Sequence, residues 1–160
     1  MLRPDTLAHP HTSQQPTKSS EKATQQTRTI GTKLTTELTE EHRAIAYRFE
    51  QLRANVREIE NNTSSRKTLY GQLAESLNYH FRREEELMFP KLDLSLGSAV
   101  SSRLRKEHAE ILNITASLSV SDPEGRDSFG QLERLFRVHI STEENVLFWY
   151  LDLLDLQQAR

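Results

Sequence analysis

The chain has 160 residues, a formal net charge of −2 and no cysteine. That length accommodates one domain with its own core, and the near-neutral charge gives no electrostatic reason to expect nucleic acid or an anionic membrane as partner. Without thiols, disulfides, thiolate metal sites, iron–sulfur clusters and cysteine nucleophiles are removed together, so any metal must be held by nitrogen and oxygen.

Residues 1–33 are rich in Thr, Ser, Gln and Pro with few large apolar side chains. Such a composition cannot bury enough surface to offset its ordering entropy, and the segment is expected to be a disordered tail. Met1-Leu2-Arg3-Pro4-Asp5 has no apolar stretch of the secretory kind. The Ser/Thr content resembles a transit peptide only loosely, because Asp5 and Glu21 interrupt it. His9 and His11 read as solvated tail histidines. No stretch approaches the ~18 consecutive apolar residues of a membrane span, and the expected compartment is the cytoplasm.

From Leu34 the periodicity becomes regular, and residues 34–157 are expected to form the folded domain. Leu34, Leu38, His42, Ile45, Phe49, Leu52, Val56 and Ile59 advance by threes and fours, one face of a helix. Leu69, Leu73, Leu77, His80, Glu84 and Leu87 do the same until Pro90 disfavours continuation. Val100, Leu104, His108, Ile111, Thr115 and Leu118 form a third seam. Phe129, Leu132, Phe136, His139, Glu143, Val146, Tyr150 and Leu153 form a fourth. Breakers separate them: Asn61 to Ser65, Asp93 to Ser98 with Gly97, and Ser119 to Gly125 with Pro123. Connections this short make neighbouring helices antiparallel. The expected fold is all-α, an up-down-up-down four-helix bundle behind its tail.

The seams carry a pattern that occurs twice. Glu41-His42-x-x-Ile45 is followed by His80-x-x-x-Glu84-Glu85; Glu107-His108-x-x-Ile111 is followed by His139-x-x-x-Glu143-Glu144. The tails repeat as well, Glu86-Leu87-Met88-Phe89 against Asn145-Val146-Leu147-Phe148. A lone histidine on an apolar face is usually a satisfied core residue. With roughly a quarter of positions facing the core, four of four by accident has odds of about 1 in 250. An inward glutamate is costly to ionise without a partner, and a metal supplies one. Counting residues from each loop places the four histidines at one height within about 5 Å. Four imidazole nitrogens and two carboxylates then suggest two metal ions. If both glutamates bridge, each ion receives two nitrogens and two oxygens. An oxo or hydroxo bridge would make five contacts and leave one position open on each. This donor set suits iron or manganese, with zinc also possible, and a carboxylate-bridged pair favours iron.

At these residues the chain resembles the hemerythrin-like family, the HHE cation-binding domains, over roughly 34–155. The resemblance implies a pair of non-haem irons inside the bundle, with His42, His80, His108 and His139 as terminal ligands and Glu84 and Glu143 as bridges. It also implies dioxygen or nitric oxide as small ligands. Oxygen carriers of the family have a further histidine where this chain has Leu112. They usually place the last carboxylate five residues after its histidine, where Glu144 sits, although Glu143 fits the seam better. The four-histidine, two-carboxylate set looks more like a branch associated with iron–sulfur repair under nitrosative stress. That branch often carries a cysteine-containing N-terminal segment, which this chain lacks.

The expected function is a di-iron protein, a monomer or weak homodimer, that binds, senses or buffers small ligands or iron. The alternative is a di-iron enzyme or iron donor in nitrosative stress and cluster repair. Among the remaining features, Glu85, Glu86 and Glu144 read as a solvated flank beside the ligands. Glu41 and Glu107 read equally as groups that orient an imidazole or as surface charges paired with arginines. Phe148-Trp149-Tyr150 is expected to pack mostly within the bundle. Tyr47, Tyr70 and Tyr79 have no spacing that ties them to the centre.

Overall fold

A computed structural model describes residues 32–120 and 125–159; residues 1–31 of the expected tail, with His9 and His11, and the middle of the third connection lie outside the described residues, whereas Thr32 and Lys33, expected in the tail, begin the first helix. Every element among them is helical: α1 (Lys33–Ala54), α2 (Val56–Asn61), α3 (Thr63–Arg83), a π turn (Glu84–Met88), α4 (Phe89–Leu96), α5 (Ala99–Val120), α6 (Gly125–Thr142), a second π turn (Glu143–Leu147) and α7 (Phe148–Gln158). They stack into four rods, and the bundle is up-down-up-down. Towards one end Arg53, in the last turn of α1, pairs with Glu133 in the first third of the fourth rod. At the other, Thr35 of α1 meets Asp152 of α7, and Lys91 of α4 pairs with Asp155. No helix among the described residues is long and apolar enough to cross a membrane.

Local chemistry sets the ends. Thr32 caps α1 by accepting from the Thr35 amide, and its own N–H donates to Asp152 at 2.9 Å, which ties the entrance of the first rod to the last. Asn62 alone separates α2 from α3, because its side chain accepts from the Ser64 and Ser65 amides and starts the helix at once. The Asn61–Ser65 connection is therefore shorter than expected. Gly97, at φ 76°, ends α4 in a conformation that favours glycine.

The second and fourth rods depart from the simple seam. The second continues through Pro90 to Leu96, since the proline falls in the first turn of α4, where a missing amide is tolerated. Both rods also contain a π turn, closed by an i→i+5 bond from Phe89 N–H to the Glu84 carbonyl and from Phe148 N–H to the Glu143 carbonyl. Each π turn inserts one residue, so the apolar face beyond it moves one position along the chain. Leu87 and Val146, expected in the seams, are exposed, while Met88, Phe89, Leu147 and Phe148 are buried.

The core has two parts. One, towards the Asn62 end, gathers Ile45, Phe49, Leu73, Leu77, Ile111 and Phe136 among others. The other gathers Leu38, Met88, Phe89, Leu92, Leu104, Phe148 and Leu151. Along the rods, the buried polar residues His42, His80, Glu84, His108, His139 and Glu143 fall between the two.

Candidate metal centre

The structure brings all six sequence-predicted residues together at the bundle's mid-height, each at most 2% exposed. They form two groups that share both glutamates: His42 and His80 with Glu84 and Glu143, and His108 and His139 with the same pair. Glu84 turns Oε1 towards His42 and His80, at 3.7 and 2.9 Å from their Nε2 atoms, and Oε2 towards His108 and His139, at 3.1 and 3.8 Å. Glu143 lies across the centre in the same way, with Oε2 3.3 Å from His42 Nε2 and Oε1 3.4 Å from His139 Nε2. Each carboxylate thus offers one oxygen to each histidine pair. Glu143, four residues after His139, fills this place; Glu144 does not.

The outer side of each imidazole is held by a different carboxylate. His42 Nδ1 meets Glu144 at 2.7 Å, His80 Nδ1 meets Glu41 at 2.9 Å, His108 Nδ1 meets Glu85 at 2.9 Å and His139 Nδ1 meets Glu107 at 3.1 Å. The contacts close a ring, because each rod's histidine is oriented by the rod before it and the fourth rod orients the first. An ionised carboxylate can only accept, so each Nδ1 carries a proton and each Nε2 faces inward. Arg83 donates to Glu41, Arg103 to Glu107, and Arg105 lies 3.7 Å from Glu85.

The local sequence explains the ring. Glu41 and Glu107 each precede a histidine, and Glu85 and Glu144 each follow an inward glutamate, so neighbouring residues on one rod serve two different imidazoles. Glu41 and Glu107, for which the sequence allows orientation of an imidazole or surface pairing, do both. Glu85 and Glu144, expected as a solvated flank, are partly exposed, yet each reaches an imidazole. Their repetition beside Glu84 and Glu143 was the signal available.

Aromatic rings fill the remaining space. Phe148 stacks on His42 with centroids 5.6 Å apart, and Phe89 stacks on His108 at 5.5 Å. These are the repeat tails, carried inward by the π turns. Of the other aromatics, Trp149, Tyr47 and Tyr79 are exposed and Tyr70 is buried in the core.

The electrostatics follow from burial of like and unlike charges. Desolvation opposes a charged His42, but Glu143 and Glu84 outweigh it and hold the imidazole up at about 10. His139 is likewise raised, to about 9, by Glu84 and Glu143 against the cost of burial. Desolvation would raise Glu84, but the four facing histidines hold it well below the usual carboxylate range. Glu143 is pushed up, by desolvation and then by Glu84 beside it.

Whether these residues suit a metal is tested by their unsatisfied atoms. All four Nε2 atoms and all four oxygens of Glu84 and Glu143 are buried without a hydrogen-bond partner, while every Nδ1 has one. Buried polar atoms are ordinarily satisfied, and eight orphans converging in one place call for a shared partner. Nitrogen and oxygen donors with outward N–H groups fixed by carboxylates are what a first-row metal requires. The residues fit.

Fold and site together define a helical-bundle protein with a buried histidine–carboxylate centre suited to metal. The model of the hemerythrin HHE cation-binding domain matches residues 33–151, and the chain belongs to that family. It is also similar to a DNA nickase of Nostoc sp. (strain PCC 7120 / SAG 25.82 / UTEX 2576), 29% identical over 91 residues, covering 55% of this chain and 26% of the relative. The chain thus spans about a quarter of that protein's length. No solved structure matches.

Proposed function

We propose that this chain is a non-haem di-iron protein that binds, senses or buffers a small diatomic ligand, dioxygen or nitric oxide, or iron itself. The observation that carries this reading is the set of eight orphaned inner atoms, divided into two groups by two spanning carboxylates. His42 and His80 would hold one ion, His108 and His139 the other, with Glu84 and Glu143 between them. Iron bound there supplies redox-active positions at which dioxygen or nitric oxide binds. Each group offers two nitrogens and two carboxylate oxygens, a donor set that leaves room for an exogenous ligand. The ring of outer carboxylates keeps each Nε2 directed inward, and the stacked phenylalanines exclude bulk water.

DNA nicking, the activity in the name of the Nostoc relative, is not part of this reading. The similarity covers a quarter of that protein, and a net charge of −2 supplies no general attraction to phosphate.

The test is metal analysis and absorption spectroscopy on anaerobically purified full chain. We expect about two irons per chain, as the two donor groups require, and a change in visible absorption on adding dioxygen or nitric oxide to the reduced protein. An unchanged spectrum in iron-loaded protein would falsify the ligand-binding reading.

A further inference from the structure

Between α1 and α6, one turn beyond His42, the surface opens into a cavity of about 210 Å³. Its apolar wall is formed by Phe49, Phe136 and Ile140, with Ala46 at the mouth. Phe136 meets the His42 imidazole edge-on, with centroids 6.4 Å apart and planes at 88°. Phe136 therefore both lines the cavity and meets one of the inward histidines. Around the rim, Arg53 pairs with Glu50 and Glu133, and Arg137 pairs with Glu133. Two positive groups face two negative ones, so the rim neither attracts nor repels an ion on net, and the wall favours a neutral, apolar guest.

The internal repeat provides a comparison within the molecule. Aligning His42 with His108 sets Ala46 against Leu112, and aligning His139 with His80 sets Ile140 against Phe81. At the repeat-related place Phe81 lies flat on His108, with ring centroids 3.9 Å apart and planes at 6°, and Leu112 packs against the core. Large side chains thus occupy on one side the space that Ala46 and Ile140 leave on the other.

We infer that the α1/α6 cavity is the entry route for a small, neutral, apolar diatomic molecule, with Phe136 as the gate beside His42. This rests on the ligand-binding reading above. Ala46 is exposed, so Ala46→Trp can fill the mouth without disturbing the core. In iron-loaded full chain mixed rapidly with nitric oxide, Ala46→Trp is expected to slow association about tenfold, with iron content and the final spectrum unchanged. Xenon, which enters apolar cavities of this size, is expected beside Phe136 in the metal-loaded wild type and absent from Ala46→Trp. An unchanged association rate in the variant, or no xenon in the wild type, overturns the route while leaving the function standing. If nitric oxide leaves iron-loaded wild type unaltered, the ligand-binding reading fails and the entry role fails with it.

Discussion

The ring of outer carboxylates can be tested one member at a time, and Glu41 is the most informative. Its carboxylate accepts from His80 Nδ1 at 2.9 Å, is fixed by Arg83 and is only 18% exposed at the side chain. Replacing it in Glu41→Ala leaves His80 free to turn and removes the negative charge that raises its basicity. Losing such an outer partner costs about 10- to 100-fold in metal affinity, or ~1.4–2.7 kcal/mol. Glu41 should lie at the upper end, because water cannot readily take its place. Glu144 holds His42 at a shorter 2.7 Å, but its side chain is 38% exposed and no arginine or lysine among the described residues pairs with it. Solvent can substitute there, so Glu144→Ala should cost about tenfold, the lower end. Arg83 keeps its bond to Glu37 at 2.6 Å, so the fold should survive Glu41→Ala. Affinity is measured by competition with a coloured chelator under anaerobic conditions, with circular dichroism confirming the helices. The reasoning is refuted if Glu41→Ala binds metal as well as wild type, or if Glu144→Ala loses more than Glu41→Ala.

Other expectations follow from the same geometry. His80→Ala removes an inward donor outright and should lose most bound iron by elemental analysis while helical circular dichroism is largely kept. Saturating metal should raise the melting temperature by about 10–20 °C, since ligand at a thousand times its dissociation constant contributes ~4 kcal/mol; a melting curve indifferent to ferrous ion contradicts the centre. In metal-stripped protein, His42 and His139 have folded pKa values raised to about 10 and about 9. Their contribution is fully present below the ordinary 6.5 and is lost as pH rises through 9 to 10, so denaturant midpoints should fall across that window. Metal uptake at neutral pH should release protons, detectable in weak buffer, because His42 and His139, raised to about 10 and about 9, must shed them from their inward nitrogens. Asp152→Ala leaves the Thr32 amide without its acceptor and the Thr35 hydroxyl with the Thr32 carbonyl at 3.1 Å in place of the carboxylate, and should cost ~1–3 kcal/mol in chemical denaturation.

The seams of α1 and α5 were legible because a straight helix repeats its apolar face without interruption: Leu38, His42, Ile45 and Phe49, or Leu104, His108, Ile111 and Thr115, are all buried as their spacing requires. The other two rods were legible only up to Glu84 and Glu143. Beyond those residues a π turn adds one residue, and neither Glu84–Met88 nor Glu143–Leu147 has a composition that distinguishes it from an α-helix. Val146 therefore looked inward and Leu147 outward, the reverse of what is found. The inner donors were legible as a set because burial of four histidines and two glutamates is improbable without a shared purpose. The outer ring was only half legible. A glutamate beside a ligand looks like a surface charge until the neighbouring rod is in place, since each of the four contacts joins different rods.

That inter-rod character gives the centre a structural consequence. Each rod supplies one imidazole to the inside and one carboxylate that orients the imidazole of the next rod. Displacing any one rod therefore disturbs two histidines, its own and its neighbour's; for the second and fourth rods, which also carry Glu84 and Glu143, the two histidines fall in different donor groups and both groups are disturbed. Without metal, the middle of the core contains eight buried atoms without a hydrogen bond, flanked by apolar clusters that would close more tightly on carbon. Metal bound as proposed would remove that deficit in both groups. Binding of the two ions should then be coupled to each other and to closure of the bundle, with the second ion entering a site whose shared carboxylates the first has already positioned.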